Sequence, residues 1–293
     1  MRDRTALPVS ALVVAALLFG ITFVVVKSAV ADFPPIAFVA WRFLIGAIVL
    51  LLLAVPRRAR LWRDGATAGT LLFAGFALQT AGLTSTGATN SALITGLYVV
   101  FTPIVVAIWR RRAPSSWLLI GTAVAFLGLA LLTFDETMRF ASGDLLTVGC
   151  ALAFAGHIAY LARVAFRHPV IPFTAVQLLV TAVLGFAVSI PIEGWQIPSG
   201  SQWQAIILTG AGVSAIAFLL QVWAQTRLGP SRTAVILTME PVFGVAAGAL
   251  VLSERLTIGG WFGAALIFAA IQLVLTKGSS DDTTAAESVS PAH

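Results

Sequence analysis

Charge is scarce in this chain. Only 10% of its 293 residues are Asp, Glu, Lys or Arg, against roughly 25% in an average soluble domain, while 59% are hydrophobic. Such a chain cannot surround itself with water. Cysteine is nearly missing too: Cys150 stands alone, which excludes an intramolecular disulfide and a cysteine metal cluster. His157, His168 and His293 are too widely scattered for a metal site, and no cofactor is expected. The chain also lacks a Gly-x-Ser-x-Gly elbow, a His-Glu-x-x-His pair and a Gly-x-x-x-x-Gly-Lys loop. Those absences argue against an enzyme and against ATP as the energy source.

What is present is apolar sequence in long runs. A helix needs about 20 residues to cross the hydrocarbon layer. Runs bounded by Pro, Gly and charge predict ten helices near 7–28, 34–55, 65–84, 88–109, 114–134, 143–164, 172–192, 203–226, 230–252 and 257–276. The runs lack the polar and apolar alternation of barrel strands, so helices are the remaining way to satisfy the backbone in lipid. The first run follows Met1-Arg2-Asp3-Arg4 like a secretory signal, but its length from Leu7 to Val26 is that of a span.

The net charge of +6 would point to nucleic acid in a soluble protein. Here the arginines lie between spans, so no nucleic-acid partner is expected. With the N-terminus inside, fourteen of the eighteen Lys and Arg fall on the cytoplasmic side, which predicts that both termini are cytoplasmic. The stretch 278–293 is Ser, Thr, Ala and acid and reads as a disordered cytoplasmic tail. Low Lys use with high Arg and Ala points to a bacterial source, and helical spans then mean the inner membrane.

The chain repeats itself weakly. A shift of 136 lays Ala15 on Ala151, Gly20 on Gly156 and Lys27 on Arg163, and a shift of 138 lays Thr102-Pro103-Ile104 on Glu240-Pro241-Val242. The reading is an all-α integral membrane protein built as two five-helix halves, 1–136 and 137–277. Because five is odd, the second half is inverted relative to the first, an arrangement found in secondary transporters that work by alternating access. A passive channel is the rival of another class.

Gly20, Pro35, Arg42-Phe43, Leu83-Thr84-Ser85, Leu97-Tyr98, Thr102-Pro103, Glu240-Pro241-Val242-Phe243 and Glu254-Arg255-Leu256 stand in a specific order. In these residues the chain resembles the drug/metabolite transporter superfamily of the ten-span EamA type, and within it the YddG-like exporters of amino acids and related metabolites. The resemblance runs from about Ser10 to Lys277. It implies a cavity among spans one to four and six to nine, with spans five and ten more peripheral. It also implies export of small solutes, chiefly hydrophobic or aromatic amino acids, with organic cations or other toxic metabolites as the alternative.

Polar side chains inside spans point to a pathway, because lipid does not tolerate them. Ser91, Thr95, Tyr98 and Thr102 form one stripe of span four, with Asn90 beside them. Ser214, Phe218, Gln221 and Gln225 do the same in span eight, flanked by Trp223, while span six offers His157 and Tyr160 and span three offers Gln79. Each alone reads as interhelical glue; as sets they read as cavity lining. Glu240, next to Pro241 near the middle of span nine, needs a partner or a role: binding a substrate ammonium, exchanging a proton, or holding a broken helix. Arg42 in span two could clasp a carboxylate or brace helices. Trp41 and Tyr98 could pack an apolar substrate, and Pro103 and Pro241 occupy matching positions as candidate gating kinks.

Overall fold

The computed structural model describes residues 5–29, 32–83, 85, 88–133, 141–252 and 258–277. The ten apolar runs become ten helical rods: α1 (Ala6–Ala29), α2 (Pro35–Leu53), α3 (Ala59–Leu83), α4a (Ala88–Thr95) with α4b (Tyr98–Arg110), α5 (Ser116–Thr133), α6 (Ser142–Val164), α7 (Val170–Glu193), α8a (Gly200–Ile207) with α8b (Ala215–Gln225), α9a (Pro230–Leu237) with α9b (Met239–Leu252), and α10 (Ile258–Lys277). No strand occurs among the described residues. Six of the described rods are each long and apolar enough to cross a membrane, and α1 and α5 hold shorter apolar stretches, Ala6–Thr22 and Ser116–Leu132.

The pairing of rods carries the repeat into three dimensions. α2 packs on α7, α4b on α9a, and α5 on α10. α3 packs on α7 as α8 packs on α2, α1 on α8b as α6 on α3, and α1 on α9b as α6 on α4b. Advancing every helix by five maps each contact onto another, so the two halves are interchangeable as scaffolds. α5 and α10 lean chiefly on each other, at the periphery.

Three rods are broken where the apolar pattern alone predicts continuity. α4 is interrupted at Gly96 and Leu97. α9 is interrupted at Thr238, because Pro241 can neither donate to the Leu237 carbonyl nor avoid it. Between α8a and α8b the chain widens into a π-helical segment, Leu208–Ser214. α3 also starts at Ala59, earlier than the apolar run, because Arg60 and Arg63 extend it into water while Asp64 turns inward.

The starts of α2 and α7 are pinned by charge. Ile36 and Ala37 donate their backbone N–H groups to Glu193 Oε1 and Oε2 at 3.1 and 2.8 Å, satisfying two donors that a helix start leaves open. Before α7, His168 Nε2 and Asp64 Oδ2 share a hydrogen bond of 2.9 Å, with both side chains buried. The imidazole stacks on Phe173 at 5.1 Å. Burial by itself would raise the Asp64 carboxyl, but hydrogen bonds from His168 and Arg63, together with their charges, hold it below its ordinary value.

Candidate functional site

The site is built around two charges contributed by different halves. Arg42, in the middle of α2, is 6% exposed and donates from Nε to Ser214 Oγ at 2.6 Å. Ser214 ends the π-helical segment, whose wider turn brings α8 against α2. Gly210 permits the contact: a Cβ there would lie 2.5 Å from the Arg42 carbonyl oxygen. The guanidinium also faces the rings of Phe43 and Phe76, 5.7 and 6.0 Å from their centroids.

Glu240 lies in the first turn of α9b, immediately after the break. The open N–H groups and positive dipole end of that half-helix favour a carboxylate there. Glu240 is half-buried and within electrostatic reach of Arg42, Tyr98 and Cys150. Among the described residues no hydrogen bond or ion pair closes on its carboxylate. Opposite charges thus share the interior of the bundle without touching.

A chain of aromatic rings runs beside Arg42. Phe19 of α1 packs on Phe218 of α8b at 5.0 Å, Phe218 on Phe43 at 5.8 Å, Phe43 on Phe76 at 5.0 Å, and Phe76 on Phe154 at 5.4 Å. This chain of rings runs through α1, α2, α3, α6 and α8. Of the five, sequence reasoning placed Phe218 alone on a polar stripe and met Phe43 only beside Arg42 in the family resemblance, since phenylalanine in an apolar run carries no periodic signal of its own.

The other candidates separate into groups. Gln79 Nε2 donates to Thr95 Oγ1 at 3.2 Å, and Thr95 Oγ1 sits 3.9 Å from Cys150 Sγ, linking α3, α4a and α6. Ser91 and Tyr98 are buried on the same rod; the Asn90 side chain lies outside the described ones. His157 Nε2 is 3.0 Å from Gln177 Oε1 and edges toward Phe218. Gln221 Nε2 donates to Gln225 Oε1 at 3.2 Å, and Gln225 Nε2 to the Ile158 carbonyl at 2.9 Å, tying α8b to α6.

Three candidates stand apart from the charges. Trp41 belongs to an aromatic cluster with Phe186, Trp195 and Trp203, its Nε1 donating to the Gln196 carbonyl at 2.9 Å. Tyr160 packs with Leu61, Phe173 and Val222. Trp223 lines a groove on the flank of the bundle. Pro241 sits in the first turn after the α9 break, whereas Pro103 lies inside α4b, downstream of the α4 break.

The EamA-like transporter family matches residues 6–134 and again residues 141–276, once for each half. The chain belongs to that family. An uncharacterized transporter of Archaeoglobus fulgidus is 30% identical over 90% of this chain and 84% of its own. The uncharacterized transporter YvbV of Bacillus subtilis is 28% identical over 97% and 95%. A solved crystal structure superposes with a TM-score of 0.81 over 94% of this chain and 99% of its own, at 20% identity, a likeness of fold. An EamA-like transporter is a multi-pass membrane protein acting on a small molecule, and both halves of this one carry the family pattern.

Proposed function

We propose that this EamA-like protein is a secondary transporter that exports small amphoteric metabolites, chiefly hydrophobic and aromatic amino acids, by alternating access. The observation that carries the reading is the separated pair of Arg42 and Glu240 beside a chain of phenylalanines. A zwitterion presents a carboxylate to the guanidinium and an ammonium to the carboxylate, while its side chain lies against the rings. Glu240 is also the group suited to exchange a proton with the solute, which is how a proton gradient would drive transport.

A second reading has support of its own. Arg42 is already engaged by Ser214 and two rings, whereas no described residue bonds the Glu240 carboxylate, so an organic cation satisfies the site with less rearrangement. In either case the breaks beside Gly96 and Thr238 are the candidate hinges, and the halves alternate about them with both termini in the cytoplasm of a bacterial inner membrane. A passive channel is disfavoured by the inverted repeat.

The test is uptake of labelled leucine and phenylalanine into liposomes holding the purified protein, beside empty liposomes and Glu240→Gln. Saturable uptake that excess unlabelled amino acid suppresses, and that the variant loses or shifts in its pH profile, is the expected result. Absence of flux for every amino acid, with flux of a quaternary amine instead, replaces the first reading by the second. Non-saturating ion currents remove both.

A further inference from the structure

Outside the charged site, the flank of the bundle carries a groove of about 1010 Å³. Leu7 and Val14 of α1 form one wall, Leu220 and Trp223 of α8b the other, and Ala54 at the end of α2 and Pro169 at the start of α7 close it. Leu7 is 68% exposed and Val14 44%. In a bilayer such a surface is filled by hydrocarbon, since water gains nothing there. Neither Arg42 nor Glu240 belongs to its lining.

One end of the groove is cationic. The Arg227 guanidinium lies 4.2 Å from the Trp223 ring centroid. Its Nη1 donates to the Trp223 carbonyl at 3.1 Å and to Thr226 Oγ1 at 2.7 Å, which leaves the N–H groups of Nε and Nη2 for another acceptor. Arg57 follows Ala54 by three residues and Arg167 precedes Pro169 by two; both are exposed. At this end of the bundle the one described acidic residue is Asp64, buried and paired with His168. The apolar body and cationic lip match an acyl chain joined to a phosphate.

We propose that the groove between α1, α7 and α8b is a binding site for one anionic glycerophospholipid, its phosphate on Arg227 and a chain along Leu7, Val14 and Leu220. Arg227 holds the headgroup by charge-assisted hydrogen bonds in the plane of the guanidinium, and Trp223 fixes that plane. The site is independent of which solute the interior carries.

Native mass spectrometry of the full-length protein in detergent, titrated with phosphatidylglycerol or phosphatidylcholine, tests it. The expected result is retention of one phosphatidylglycerol with about tenfold preference over phosphatidylcholine. That preference falls to near parity in Arg227→Ala and persists in Arg112→Ala. Val14→Trp, which fills the groove, lowers retention of both lipids. Because Arg227 and Val14 are exposed, both variants fold, and circular dichroism checks this. Equal retention of the two lipids by the native protein overturns the proposal. So does a preference that survives both Arg227→Ala and Val14→Trp, or displacement of the lipid by a transported amino acid, which would make the groove part of the solute path.

Discussion

The first half of the molecule and the second share a backbone and differ in charge. A shift of 135 lays Pro34, which caps α2, with Ile36, Phe38 and Ala40 on Pro169, which caps α7, with Ile171, Phe173 and Ala175, and Arg42 then falls on Gln177. The shift of 138 lays Thr102 of α4b on Glu240 of α9b. Both neutral counterparts are buried and satisfied locally: Gln177 meets His157, and the Thr102 hydroxyl donates to the Tyr98 carbonyl at 2.6 Å. Each half therefore keeps one charge and has a neutral residue where the other half keeps its own. Under the proposed function, symmetry would serve a scaffold whose two packings are nearly equal, and asymmetry a solute with two different ends.

The starts of α2 and α7 make the same point. Pro34 and Pro169 have nearly the same backbone angles, φ −55 and −60, ψ 129 and 131. One start is held by Glu193 on open N–H groups, the other by the buried pair of His168 and Asp64. The largest expected effect follows from breaking the second lock. Asp64→Ala leaves the buried His168 imidazole without its hydrogen-bond partner, which costs about 1.5–3 kcal/mol and is read as a lower thermal midpoint in detergent. The pH dependence has a definite sign. Asp64 has a lower pKa folded than unfolded, so its contribution is present at neutral pH and begins to be lost as pH falls below about 4. The variant lacks that acid-dependent step.

A smaller effect separates two glycines that the repeat makes equivalent. A Cβ on Gly20 would lie 2.5 Å from the Glu240 carbonyl oxygen and 2.8 Å from the Gly244 nitrogen, whereas one on Gly156 meets only a Leu71 methyl at 3.6 Å. Gly20→Ala is expected to destabilise by about 1–3 kcal/mol through overpacking, and Gly156→Ala to leave the thermal midpoint within error. Equal effects would mean that α1 and α6 cross their partners alike.

Making the halves chemically alike tests the asymmetry directly. Arg42→Gln gives α2 the residue of α7. Loss of charge-assisted bonds worth about 1.5–3 kcal/mol lowers amino acid flux by roughly tenfold or more, with quaternary amine flux unchanged. A fall in both, at preserved thermal stability, would assign Arg42 to the moving scaffold. The smallest change expected is from Gln225→Leu, which removes one interhelical bond at about 0.6 kcal/mol and leaves flux near the native rate.

Much of the architecture was legible before any coordinates. Ten rods, their order and the inverted halves follow from apolar runs and a weak repeat. The interruptions in α4 and α8 were not legible, because Gly96-Leu97 and the Leu208–Ser214 segment read as ordinary apolar helix; only packing against neighbours makes a wider or broken turn worthwhile. Pro241 did signal its break through the missing N–H. Arg42 and Glu240 were visible as charges out of place in lipid. That they come within electrostatic reach of each other was not, the two being separated by nearly two hundred residues. The Asp64 and His168 pair was hidden likewise, since the two are about a hundred residues apart and His168 stood only as one of three scattered histidines.

By itself the sequence determined that this chain lives in a bilayer as helices, since so little charge cannot clothe a water-facing surface and only closed backbone bonding survives in lipid. It also determined that the halves are copies in opposite orientation, since the copy length is odd. Tertiary structure alone decided which polar residues meet. Arg42 reaches Ser214 while Glu240 meets no bonding partner among the described residues, and Trp41, Tyr160 and Trp223 fall elsewhere. Helical phase says which face a side chain occupies; the neighbour on that face is set by how the two halves pack.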